Sequence, residues 1–190
     1  MFKKLTLASA LGLFALLSIG TSAFAQTVLV VDSQKVITDS KVGKYVSSQI
    51  QSIESAASTE VKGKLATVQN KAKTFSAQYN GKNQEELAKD PAFVAQYQQL
   101  QKDEQKFKEE YAKINQEMKI TRQKAIIPVM KKFSDIVKSV GAERNADAVV
   151  DINSTLYSSP TTDITQTILT KLDQQMTTTP VVRERLPNKQ

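Results

Sequence analysis

Residues 42–79, VGKYVSSQIQSIESAASTEVKGKLATVQNKAKTFSAQY, decide how this chain folds. Apolar or small side chains recur there at Val42, Val46, Ile50, Ile53, Ala57, Val61, Leu65, Val68, Ala72, Phe75 and Tyr79, ten steps over 37 residues, about 3.7 per step. That period draws one stripe along an α-helix and matches no strand. A second stripe runs through Phe93, Tyr97, Leu100, Phe107, Tyr111, Ile114, Met118, Ala125, Val129, Phe133, Ile136 and Val140, interrupted at Glu104 and at Thr121 or Arg122. Two long helices, each with one stripe, hide those stripes by folding back on each other. Asn80-Gly81-Lys82-Asn83 between them is a turn signal, and Asp90-Pro91 reads as an N-cap followed by proline in the first helical turn. Gln84 to Lys89 leave room for one extra helical turn at the tip. Steps of 3.6 to 3.7 predict nearly straight arms rather than a left-handed supercoil.

Upstream, Lys3 and Lys4 precede an apolar run from Leu5 to Ile19 that closes on Ala23-Phe24-Ala25. The run is shorter than the ~20 residues a membrane-spanning helix needs, and Ala-x-Ala is a cleavage signal, so residues 1–25 are expected to be a secretory signal cleaved after Ala25. Export without any cysteine fits a bacterial periplasm better than a disulfide-stapled secreted domain. Thr27-Val28-Leu29-Val30-Val31-Asp32 is a β-branched run suited to a buried strand. Asp32 or Ser33 can cap a short turn through Val36, and Asp39 or Ser40 the first long helix.

Downstream, Pro128 is expected to kink the second helix at a shoulder between arm and body, and Gly141 to stop it. Residues 146–153 read as a second strand and Thr155-Leu156-Tyr157 as a third. Asp163 caps a last helix from Ile164 to about Met176, and residues 177–190, with two prolines, read as a flexible tail. The expected organisation is α+β: a signal over 1–25, a small strand-containing oligomerisation body from 26–41 plus 126–176, a helical hairpin arm over 42–125 and the tail. Such a body is too small to cover its own sheet faces and edges, and the simplest cure is that several copies share one core.

The net charge is +7, or +5 once Lys3 and Lys4 are removed, and residues 60–124 carry thirteen Lys or Arg against nine Asp or Glu. A basic arm is either a plain solvated surface or an electrostatic funnel for acidic partners. Chemistry is sparse. The absence of histidine and cysteine removes the usual general base and the commonest transition-metal ligands. The acidic neighbours Asp103-Glu104 and Glu109-Glu110 do not share a helix face, so no paired-carboxylate site is expected. Gly43-Lys44, Gly63-Lys64 and Gly81-Lys82 lack the remaining residues of a phosphate loop. No enzyme activity, metal or cofactor is expected.

The β-branched run at 27–32 behind a signal, the segment Ala146-Asp147-Ala148-Val149-Val150-Asp151-Ile152-Asn153, Tyr157-Ser158-Ser159 and Asp163-Ile164-Thr165 around a helical hairpin resemble the Skp (OmpH-like) family of periplasmic chaperones. The resemblance implies a homotrimer whose body is built from strands of all three copies. It also implies three arms around a cavity that holds unfolded outer-membrane β-barrel proteins without ATP. The family's link to lipopolysaccharide rests on no residue matched here, and the tail after Met176 exceeds the family's pattern. On this reading Lys71, Lys73, Phe75, Tyr79, Lys82, Lys89, Phe93 and Tyr97 are candidate client-binding residues, and Val28, Val30, Val149 and Ile152 candidate oligomerisation residues. The rings have a plainer reading too, as the zip between the two helices. Two other functions fit the same sequence: a structural spacer in the cell envelope, or a binder of lipopolysaccharide, an anionic membrane surface or another anionic polymer. The arms lack the compact basic patch that nucleic acid requires.

Overall fold

The structure, a computed structural model, describes residues 26–187; the expected signal lies outside them. In chain order it contains strand β1 (Val28–Val31), helix α1 (Ser33–Asp39), helix α2 (Lys41–Tyr79), the short α3 (Gln84–Lys89), helix α4 (Pro91–Glu143), strand β2 (Ala148–Asp151) and helix α5 (Thr165–Gln175), with single 3-10 turns at Ile152–Ser154 and Pro160–Thr162. The fold is α+β, as the patterning implies. At 1.5 Å per residue α2 is about 60 Å long and α4 about 80 Å.

Each helix start has a local cause. The Asp32 carboxylate accepts the Lys35 N–H at 2.8 Å and opens α1, and Ser40 Oγ accepts the Gly43 N–H at 3.1 Å and opens α2. At the tip Gly81 adopts φ +76°, the left-handed conformation that reverses the chain. Asp90 then caps α4, accepting from Ala92 N–H at 2.8 Å, with Pro91 in the first turn. Asp163 likewise accepts the Thr165 N–H at 2.8 Å at the head of α5.

β1 and β2 pair in parallel, Val28 with Ala148 through Val31 with Asp151. The whole arm is therefore the crossover between two parallel strands. On the other side of β1, the Ile164 N–H donates to the Val30 carbonyl at 2.9 Å and the Asp32 N–H to Thr165 Oγ1 at 2.8 Å. β1 is thus central, while the far edge of β2 meets no strand among the described residues. Leu29 and Val31 point into a core with Val36, Val42, Val46, Val129, Phe133, Ile136, Val140, Ile164, Ile168 and Leu172.

Four expectations change. Thr155-Leu156-Tyr157 is not a strand, and Leu156 and Tyr157 stand in solvent at 109% and 85% exposure, because no neighbour among the described residues pairs with them. Ile152 lies in a 3-10 turn rather than in β2, because the Asp151 carboxylate accepts the Asn153 N–H and turns the chain. Gly141 does not end α4: it is buried within the helix beside Val149, and Asn145 at φ 48° makes the reversal. Pro128 lies inside α4, which continues past it to Glu143. The tail, expected to be flexible, is held against the arm over residues 183–186, as its hydrogen bonds below make plain.

Where β1 meets α1, the Asp151 carboxylate accepts hydrogen bonds from both the hydroxyl and the N–H of Ser33 and from Asn153. The Ser33 hydroxyl above all holds this carboxyl below the ordinary aspartate value of 3.8. A lowered folded-state value stabilises the fold above 3.8, and that contribution is lost as pH falls through the lowered value. Asp151→Asn should therefore lower the urea midpoint at about pH 6, and the deficit should shrink as pH falls below 3.8. A gap that keeps its size as pH falls would remove the charge from this account.

Candidate functional site

The arm carries the expected binding residues, and the structure divides them. At the tip four rings interlock: Phe75 lies 5.0 Å from Tyr79 and 5.3 Å from Phe93, Tyr79 meets Phe93 edge-on at 4.9 Å, and Phe93 stacks on Tyr97 at 6.1 Å. They zip α2 to α4, and Tyr79 is buried. Tyr97, at 46% exposure, and Tyr111, at 47%, keep open faces. The rings are therefore chiefly structural, with an accessible edge.

The cations divide in the same way. Lys71 pairs with Asp103 at 2.6 Å across the helices, and Lys64 with Glu110 at 2.6 Å. Lys82 sits 4.9 Å over the Tyr79 ring. Lys73 and Lys89 are exposed and, like Lys62, make no ion pair among the described residues. A groove beside Phe75 and Leu100 is open and lined largely by Thr67, Asn70, Gln96 and Gln99, unlike the apolar enclosure a small molecule needs.

The adjacent acids do not converge. Asp103 faces Lys71, whose hydrogen bond holds its carboxyl below the usual range, while Glu109 accepts from Gln105 and Glu110 from Lys64. Among the described residues no three possible metal ligands cluster, and no helix is long and apolar enough to cross a membrane.

The four oligomerisation candidates separate as well. Val149 packs on the subunit's own core and Val30 is buried at 4% exposure, whereas Val28 is 41% exposed and Ile152 half-buried. Leu156 and Tyr157 are the larger unpartnered apolar groups, and reading them as a strand hid this.

Sequence reasoning also missed a polar site on the arm. Glu117 is buried at 1% exposure. Its Oε2 accepts from Arg183 Nε at 3.2 Å, Arg183 Nη2 at 2.9 Å and Arg185 Nη1 at 3.5 Å, and its Oε1 accepts the Leu186 N–H at 3.1 Å. Arg183 Nη1 also reaches Glu60 at 2.8 Å, the Glu184 N–H donates to Thr121 Oγ1 at 2.9 Å, and Lys124 pairs with Glu184 at 2.8 Å. Burial pushes the Glu60 carboxyl up, but Arg183, with Arg185 and Lys64, more than offsets this and holds it below its usual value. Thr121, a polar break in the apolar stripe, was the one signal of this site.

The model of the family described as outer membrane protein (OmpH-like) matches residues 27–172, both strands and the whole arm between them. The chain belongs to this family. The fold agrees. A crystal structure from Caulobacter crescentus, described as that of a candidate outer membrane chaperone (OmpH-like), is 22% identical with a TM-score of 0.74, covering 98% of this chain and 98% of that one. Among curated proteins none matches. The OmpH-like match ends at residue 172, so the docked tail lies beyond it.

Proposed function

We propose that this OmpH-like chain is a periplasmic holdase that captures unfolded outer-membrane proteins without ATP, in a cavity between the arms of a homotrimer. The carrying observation is a long arm whose Lys73 and Lys89 are free and whose Tyr97 is half-open, rooted in a body that leaves Leu156 and Tyr157 uncovered. Family membership and the name given to the Caulobacter structure support the same reading. Many weak contacts along the arms add up through multivalency, so a client stays held yet mobile. Sequestering it keeps its apolar surface and unpaired strands from aggregating. Copies joined through the open edge of β2 and the exposed Leu156-Tyr157 segment would close the edge that one copy leaves bare.

The test is suppression of light scattering when a urea-denatured β-barrel protein is diluted into the mature protein. A holdase suppresses scattering in proportion to its concentration, whereas a spacer leaves it unchanged. An anionic-polymer binder instead takes up lipopolysaccharide with an affinity that collapses as salt rises. Replacing Lys71, Lys73, Lys82 and Lys89 together by Gln should weaken capture and leave the assembly's mass unaltered. Most of the loss should come from Lys73 and Lys89, the unpaired cations. At about 0.5 kcal/mol each, their removal alone weakens capture by a factor of about five at low salt. Unaltered capture by the fourfold variant would remove the electrostatic part of the proposal.

A further inference from the structure

The segment after α5 leaves the body and ends on the arm. Met176 and Val181 pack against the body core and Thr179 is buried at 6% exposure. Four residues on, Arg183, Glu184, Arg185 and Leu186 reach Glu60, Glu117 and Thr121 on the two arm helices. The segment therefore straddles the stretch of α4 that contains Pro128. Proline has no N–H, so the Lys124 carbonyl lacks its helical donor and α4 is weakened there. The Lys124 side chain is itself tied to Glu184 at 2.8 Å.

The receiving site is built rather than incidental. A carboxylate withdrawn from water is tolerated only when it is paired and hydrogen-bonded. Glu117 is withdrawn, and Arg183, Arg185 and the Leu186 N–H, all from the tail, supply its bonds. The Arg183 side chain is itself only 11% exposed and bridges Glu117 on α4 to Glu60 on α2, so one guanidinium ties both arm helices.

We propose that residues 177–187 are a brace: a guanidinium site formed by Glu60, Glu117 and Thr121 on the arm receives Arg183 and its neighbours and thereby splints α4 across Pro128. The brace sets how far the arm swings on the body, whatever the arm carries.

The chain has no cysteine, so spin labels can be placed singly. In the full mature protein, labels on Val182→Cys and Ser58→Cys, both at exposed positions, should give one narrow distance distribution. Adding Arg183→Gln and Arg185→Gln should broaden it. In the unlabelled pair of substitutions, amide exchange over residues 114–124 and 181–186 should speed up by about tenfold or more, while α5 and β1 keep their protection. Unchanged distances and exchange would overturn the brace, and so would a loss of protection spread evenly into the body. Pro128→Ala in the same background returns an amide N–H to α4 and should recover part of the protection over 117–124; no recovery would overturn the splinting of Pro128. No client enters these measurements, so they stand or fall apart from the holdase reading.

Discussion

Gly43→Ala should destabilise the body severely. A Cβ at Gly43 would lie 1.7 Å from the Ile37 carbonyl oxygen and 2.9 Å from its carbon, with Ser40 Oγ at 3.0 Å. The obstacle is backbone at the end of α1, which no rotamer change relieves. It sits where α1 hands over to α2, beside the fully buried Val36 and Val42. Overpacking costs about 1–3 kcal/mol where side chains can adjust, and more against fixed backbone. A cost of at least about 3 kcal/mol is a large share of a total near 5–15 kcal/mol, and a fall in Tm of roughly 10 °C follows. Gly63 is the internal control. It lies exposed within α2 with nothing inside 4 Å of its would-be Cβ, so Gly63→Ala should gain up to about 1 kcal/mol from helix propensity alone. Thermal melts followed by circular dichroism compare the two; equal melting temperatures would mean that the junction of α1 and α2 gives way more easily than its geometry implies.

The second large effect concerns assembly. In the proposed homotrimer, Leu156→Asp with Tyr157→Asp should leave each subunit folded and reduce the mass in light scattering to that of one chain. These side chains touch little of their own subunit, so the substitutions cost it little stability, but burying two carboxylates between copies costs several kcal/mol. Val149→Asp makes the contrast. Val149 packs on its own core, and a Cβ on Gly141 would already sit 3.4 Å from it, so a charge there should unfold the subunit rather than merely separate copies. If the double Leu156/Tyr157 variant keeps the parent's mass, copies do not join through this segment.

The helices were legible because a stripe of one period, sustained over 37 residues, has a single physical solution: two helices back to back. Their caps were legible too, since Ser40 and Asp90 bond to N–H groups two or three residues away and need no tertiary information. What escaped were outcomes settled by distant partners. Thr155-Leu156-Tyr157 has strand composition, but a strand needs a neighbour, and none among the described residues reaches it. Gly141 has the residue type of a helix stop, yet α4 continues past it to Glu143 and the left-handed turn falls to Asn145. The tail has the polarity and prolines of a loose end, and what fixes it is a carboxylate 66 residues upstream. Of the candidate site, the residue types were visible but not their division into paired and free. That Lys71 spends its charge on Asp103 while Lys73, two residues on, does not is a matter of which side of α2 each occupies.

β1 lies near the start of the described chain, yet its hydrogen-bonding partner begins at Ala148 and its other flank at Asp163. A polypeptide made from its N-terminus onward completes α2, the tip and most of α4 before either partner of β1 exists. The hairpin's contacts close early and locally, whereas the sheet must wait for a loop of more than a hundred residues to be drawn shut. Maturation thus has a built-in order: the slender part is finished first, and the surface through which copies would recognise one another is completed last.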